Sequence, residues 1–382
     1  MLSSQRTLFD VPADVAYLNA AGWSPLPLAT QKAAQAAVLR KGQPWKVAPD
    51  FHTTQHERAR AAAAALIGAD AQDVALVSSV GYGVAIAGKV LQIPRGARVL
   101  VLENDHTSPV LEWVSRAERQ GFTVETVAQP ANGDWTSAVL EAIGRPGAAH
   151  LALASISSIH WSDGGLLDMD RIREALRAQG AALLVDATHS VGVIATDVKK
   201  LDPDFLIFPT YKWVLGPYGR AFVYVAKRHQ DGVPLEQTSF GRRDVKAENP
   251  VYFADTRYLP DARRYDMGER DHFISMEMAA IGMEMMASWG AAAVAQRLSA
   301  LTRRIADGLA GANAVQVMDE RFRAPHVLSL GFPGGMPGDL IPALASQQIY
   351  VAARLGRMRV SPHVYNDEAD ADRLIAAVTR AT

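Results

Sequence analysis

The sequence predicts an α/β protein, with a large doubly wound, mostly parallel seven-stranded sheet domain and a small C-terminal α+β domain. Three observations carry that expectation. Short apolar runs recur through the first two thirds of the chain and mostly alternate with helical stretches, the pattern that covers both faces of a parallel sheet with helices. The chain has 382 residues and is 49% hydrophobic, enough to bury a large core. Its last third changes character, alternating shorter strands with helices.

Taken in order, the strand candidates of the large domain are Asp73–Ser78, Ala97–Glu103, Phe122–Val127, His150–Ser155, Ala181–Asp186, Asp204–Phe208 and Arg220–Val225. Each is a brief apolar run of the kind a strand buried on both faces shows. They place this domain at about residues 26 to 260. From Gly241 to Pro260 the chain is polar, rich in turn formers and weakly periodic, and reads as a connector passing near the active site. Helical sequence resumes at Phe273, and Met276, Met278, Ile281, Met283 and Met286 recur along it. A methionine-rich helix of this kind is core or dimer packing rather than a metal or cofactor site. The short strands Val315–Met318, His326–Gly331 and Met358–Ser361 and a final helix over Ala369–Ala381 complete a small domain spanning 261–382. There is no internal repeat and no low-complexity linker.

Composition narrows the function. A formal net charge of −1 with 21% charged residues gives no bias toward polyanions, which argues against nucleic acid as a partner. The N-terminus lacks the apolar core of a signal peptide and no apolar run reaches the length of a membrane span, so a cytoplasmic protein without a membrane partner is expected. The chain has no cysteine, which removes disulfides, thiolate metal sites and cysteine nucleophiles; no metal is expected.

Asp186 and Lys212 are the most informative side chains. Asp186 ends the run Ala181–Val185, and Lys212 follows the run Phe205–Phe208, so both lie at the carboxyl edge where open α/β sheets place ligands. A carboxylate there can keep a pyridine nitrogen protonated, and an amine can form an imine with an aldehyde cofactor. Read singly, such an Asp is a cap or turn residue and such a Lys a surface cation. Their matching positions on successive strands favour a shared site. The stretch Val77-Ser78-Ser79-Val80-Gly81-Tyr82-Gly83 follows a strand and opens a helix, so its free N–H groups suit an anion. Neither dinucleotide-binding nor P-loop glycine spacing is present.

These residues, in the order Val185-Asp186-Ala187-Thr188-His189, Asp204-Phe205 and Thr210-Tyr211-Lys212-Trp213-Val214-Leu215-Gly216-Pro217-Tyr218-Gly219, resemble the fold-type I pyridoxal phosphate (PLP) enzymes of the class V aminotransferase group. That group includes cysteine desulfurases, isopenicillin N epimerase-like proteins and cysteine lyase-like proteins, and the resemblance runs over nearly the whole chain. It implies PLP as cofactor, Lys212 as Schiff-base lysine, Asp186 as pyridinium partner and His189 as a contact to the ring hydroxyl or ring edge. Ser79, Val80 and Gly81 fall at the family's phosphate loop, where many members carry Thr and this chain shifts weight to Ser79 and the backbone. His106 matches the ring that stacks on the pyridine face; the alternative is a cap of the following helix. His160 matches a Gln or Asn that touches the cofactor oxygen or the substrate, and Thr210 and Tyr211 precede the lysine where phosphate donors are common.

For the substrate, the resemblance points to Arg359 in Arg359-Val360-Ser361 as the clamp on an α-carboxylate, with Arg354 as rival. Residues 1–25 resemble an arm lying over the active site, with Asn19, Ala21 and Trp23 near the substrate. Arg270 stands where relatives carry a threonine that reaches the neighbouring subunit's phosphate, implying a homodimer with active sites at the subunit interface. Arg270 equally suits a charge cluster with Asp266, Glu269 or Asp271.

The resemblance implies an enzyme acting on an α-amino acid by Cα deprotonation. A persulfide-forming desulfurase needs a mobile cysteine between the segments matched by Val351–Arg354 and Arg359; here only Leu355–Met358 joins them, and cysteine is absent. The remaining chemistries are β-elimination, slightly favoured by the similarity of the Tyr211–Gly219 and Arg264–Arg270 segments to cysteine lyase-like and epimerase-like relatives, then transamination, then epimerisation. A binding protein without activity is disfavoured because Lys212 and Asp186 are both present.

Overall fold

The computed structural model describes residues 2–310 and 315–381. Seven strands form the main sheet: β1 (Val74–Val77), β2 (Arg98–Leu102), β3 (Thr123–Val127), β4 (Leu151–Ser157), β5 (Ala182–Asp186), β6 (Phe205–Pro209) and β7 (Ala221–Val225). Their order is β1-β7-β6-β5-β4-β2-β3. Only β7 runs antiparallel to its neighbours; the other pairs are parallel. The inner strands are apolar because helices cover both faces. β3 lies at the edge, where it exposes Thr123 and Thr126 and half-buries Glu125, polar residues that discourage pairing with another chain.

All seven expected strands are present within a residue or two of their predicted bounds. β4 runs two residues past Ser155, because Ser157 pairs with Asp186 in the β4–β5 ladder. The stretch from Gly241 to Pro260, expected as a plain connector, holds a short antiparallel ribbon, Arg242–Asp244 with Asp255–Tyr258. Its strands are too short and too charged to show an alternating pattern.

The small sheet contains β8 (Gln316–Val317), β9 (Leu328–Gly331), β10 (Ala352–Arg354) and β11 (Arg357–Val360), in the antiparallel order β8-β9-β11-β10. β10 is not among the strands the sequence predicts. It joins β11 through Leu355 (φ 47°) and Gly356 (φ 76°), a left-handed pair that matches the twist of a tight hairpin. The N-terminal arm belongs to this layer: Ala16–Tyr17 pairs in parallel with Ile349–Tyr350, and Ala16 and Leu18 enter the small domain's core.

The helix Phe273–Trp289, placed in the small domain by sequence, lies against the helices Leu28–Lys41 and Phe51–Leu66 of the large one. Its Met276, Met283 and Met286 are buried in the main core. A Cβ on Gly282 would come within 2.4 Å of the Val214 carbonyl, so glycine lets this helix rest on the backbone just after Lys212. The next helix, Ala291–Leu309, places Val294, Leu298 and Leu301 in the main core and Ile305 and Leu309 in the small one. Among the described residues no single helix is long and apolar enough to cross a membrane.

Candidate functional site

Strand order reverses beside β4 and β2, and the carboxyl ends of β2, β4, β5 and β6 open there into a crevice. Asp186 ends β5, buried, with one carboxylate oxygen accepting from the Thr188 N–H at 2.9 Å. Lys212 lies just beyond β6 on a tight loop. Gly216 N–H donates to the Thr210 carbonyl at 2.8 Å, and Leu215 adopts φ 57°. A Cβ at Gly216 would lie 2.6 Å from Thr210 Cβ, so the loop closes this tightly only with glycine.

Lys212 Nζ stands 3.3 Å from His189 Nε2. The Trp213 indole N–H donates to His189 Nδ1 at 3.0 Å, so neutral His189 carries its proton on Nε2. Burial, reinforced by the charges of Lys212 and Arg359, holds His189 well below the usual histidine range. Burial and then Arg359 bring Lys212 down to about 8, against the pull of Asp186.

A second layer, unforeseen from the sequence, supports this floor. Trp213 stacks on His363 at 5.4 Å and meets His326 edge-on at 4.2 Å. His326 Nε2 donates to the His189 carbonyl at 2.7 Å, and His363 Nε2 contacts the Trp213 carbonyl at 3.2 Å. Burial drives these two histidines to about 3 and about 4. Neutral imidazoles in those places orient Trp213 and His189 without adding charge.

An inner cavity of about 200 Å³ rises above Lys212 and Asp186. Ser79, Val80 and Gly81 form one wall at the start of the helix Val80–Val90. Ser79 Oγ accepts from Tyr82 N–H at 3.1 Å, so this hydroxyl caps the helix. Arg220 lines the same cavity and was not singled out from sequence. It is buried, donating to Ser275 Oγ at 2.6 Å, and among the described residues it has no carboxylate partner. A buried guanidinium beside a helix N-terminus calls for an anion.

His106 lines the cavity at the N-cap position of the helix Thr107–Gln120, but its side chain makes no capping bond; it meets Trp161 edge-on at 6.2 Å. Next to it, Asp105, also missed by sequence reasoning, binds Ser157 Oγ at 2.7 Å and Ser157 N–H at 3.1 Å, and burial pushes it up to about 6. These bonds tie the ends of β2 and β4 together.

Three expected residues lie elsewhere or face other partners. His160 is buried outside both cavities: Nδ1 is 3.2 Å from Asp163, Nε2 is 3.0 Å from the Glu103 carbonyl, and the ring stacks on Trp135. Burial opposes its protonation, but Asp163 outweighs that and raises its pKa. With both nitrogens engaged it braces a loop and does not reach the cavity. Thr210 is also buried away from it, its hydroxyl donating to the Pro217 carbonyl at 2.5 Å, whereas Tyr211 lines the wall. Arg270 is ion-paired with buried Asp266 and lies 3.6 Å from Asp271, so within this chain it sits in a charge cluster.

A second cavity of about 420 Å³ opens outward from Lys212 and shares His106 and Trp161 with the first. Asn19, Ala21, Trp23, Arg354 and Arg359, the five expected substrate residues, all line it. Arg359 Nη1 donates to the Trp161 carbonyl at 2.6 Å while Nε is buried without a partner. Burial, then Arg354, lowers Arg359 to about 9. The arm is held there by Ser361, whose Oγ accepts from Ala21 N–H at 3.0 Å.

The cavities fit PLP by their donor set: a buried amine, a carboxylate with an open oxygen, a neutral imidazole N–H, and an unpaired arginine beside free helix N–H groups. A family profile described as Aminotransferase class-V matches residues 16–374. An uncharacterized aminotransferase, YcbU, of Bacillus subtilis (strain 168) is 26% identical over 354 residues, 91% of this chain and 88% of the relative. Apo cysteine desulfurase from Thermococcus onnurineus NA1 superposes with a TM-score of 0.85 at 19% identity, covering 100% of this chain and 99% of that one. The cystine C–S lyase C-DES, solved with cysteine persulfide, gives 0.84 at 20% identity over 96% and 98% of the two chains. A C-DES variant with glycine covalently linked to its PLP cofactor gives 0.83 at 21% identity over 99% of each chain. These structural likenesses are of fold.

Proposed function

Since the chain belongs to the aminotransferase class-V family, we propose that it is a PLP-dependent enzyme that removes the Cα proton of an α-amino acid, with β-elimination as its reaction. The observation that carries this reading is the convergence of Lys212, Asp186 and His189 beneath a cavity whose far wall is a helix N-terminus with Arg220. PLP, when bound, supplies an electron sink for the pair left at Cα. Asp186 holds a proton on the pyridine nitrogen, and His189 offers its Nε2–H to the ring hydroxyl. The N–H groups of Val80 and Gly81 and the guanidinium of Arg220 hold the phosphate. His106 packs on the ring. Arg359 grips the α-carboxylate, and Lys212, whose amine burial brings down to about 8, takes the proton from Cα.

Persulfide formation on a cysteine of this chain has no acceptor, and the two-residue turn between β10 and β11 leaves no loop to carry one. Transamination is the second reading, favoured by the name of the Bacillus relative. A homodimer belongs to this reading, supported by the exposed Leu39 and Trp45. Incubating purified holoenzyme with a panel of amino acids decides the reaction. Ammonia and a keto acid without an amino acceptor mark elimination, pyridoxamine phosphate marks transamination, and an inverted Cα without net change marks epimerisation. No change with any amino acid overturns the proposal.

A further inference from the structure

The outer cavity is lined by two arginines and a lysine and by no carboxylate. On the β10–β11 hairpin Ala352 is the direct partner of Arg359, and Arg354 is two residues along the same strand. Positions two apart on a strand share a face, so Arg354 and Arg359 are diagonal neighbours, about 7–8 Å apart at the backbone. Both guanidinium groups approach the Trp161 ring, at 6.0 and 5.9 Å from its centre. Among the described residues the Arg354 side chain bonds only to the neighbouring Ala353 carbonyl, and neither arginine has an acidic partner.

One α-carboxylate answers one of these cations. We propose that the substrate carries a second anionic group on a short side chain, held by Arg354 while Arg359 holds the α-carboxylate. This rests on the PLP reading above and names its substrate class: an α-amino acid with a carboxylate, or another oxyanion, a few bonds from Cα. Under β-elimination the Cα proton passes to Lys212, the bond from Cβ to the leaving atom breaks with its electron pair going to that atom, and the anionic group held by Arg354 departs as part of the leaving group. A neutral amino acid leaves Arg354 unanswered.

The test titrates holoenzyme with matched pairs, L-aspartate against L-asparagine and S-sulfo-L-cysteine against S-methyl-L-cysteine, following the cofactor absorbance. The acidic member is expected to bind at least about tenfold tighter. Arg354→Gln should bring that ratio close to one, and Arg354→Lys should restore part of it. Equal binding within each pair, or a loss in Arg354→Gln that is the same for both members, overturns the proposal. Calorimetry with succinate against butyrate gives a readout that needs no chemistry on the cofactor. Succinate should bind tighter to wild type, with the difference lost in Arg354→Gln; equal binding overturns the inference. If no amino acid perturbs the cofactor, the PLP reading falls, and the succinate result still decides the anion site.

Discussion

Lys212 shows how position sets the chemistry of a single group. Burial and the nearby Arg359 bring it to about 8 from an ordinary 10.5. The rate at which apo-protein takes up PLP should therefore rise with pH around a midpoint near 8. The sign for stability follows: between 8 and 10.5 the unfolded chain binds a proton that the folded one does not, so apo-protein stability should rise across that window. A midpoint above about pH 10, the range of an ordinary lysine, would refute the depressed amine. Arg220→Gln should weaken PLP binding by about tenfold or more, measured as the dissociation constant of the cofactor and as release of the phosphate signal in phosphorus NMR, because it removes a buried charged donor. Unchanged affinity would exclude Arg220 from the phosphate. Asp186 and Lys212 were legible in sequence because a strand end fixes where a side chain goes. Arg220, Asp105 and His326 were not, since their roles depend on contacts made across the fold.

Among elements, Asp266 is a buried stitch. Its buried carboxylate takes two bonds from Arg60, at 3.0 and 2.7 Å, one from Leu76 N–H at 2.9 Å in β1, and Arg270. It thus joins the edge of the sheet to the helix Phe51–Leu66. Asp266→Asn leaves two arginines without their shared counter-charge and should destabilise the protein by about 3–5 kcal/mol in urea unfolding. A change under about 1 kcal/mol, the size of a surface ion pair, would show that the pair breaks even. The strands of the main sheet other than the edge strand β3 were legible because burial on both faces leaves an apolar run. β10 and the Arg242–Tyr258 ribbon were not, because such short strands with arginines in them have no period to read.

At the scale of the whole molecule, two histidines link the layers and contribute to its response to acid. His326 and His363 hold folded values of about 3 and about 4 against an ordinary 6.5. Below 6.5 the unfolded chain takes up protons that the folded one refuses, so stability is lost as pH falls from 6.5 toward 4. The melting temperature should drop across this window, and His326→Gln, although less stable at about pH 8, should show a shallower slope. An equally steep slope would remove His326 as a source. The arm has a consequence of its own for biosynthesis. Its contacts with Ile349, Tyr350 and Ser361 are among the most distant in sequence that the fold contains. A ribosome delivers residues 16–21 more than three hundred residues before their partners at 349–361, so the large sheet can form while the arm still waits. The mouth over Lys212 is therefore finished only after residues 349–361 have emerged, and until then the outer cavity lacks the wall that Asn19, Ala21 and Trp23 supply.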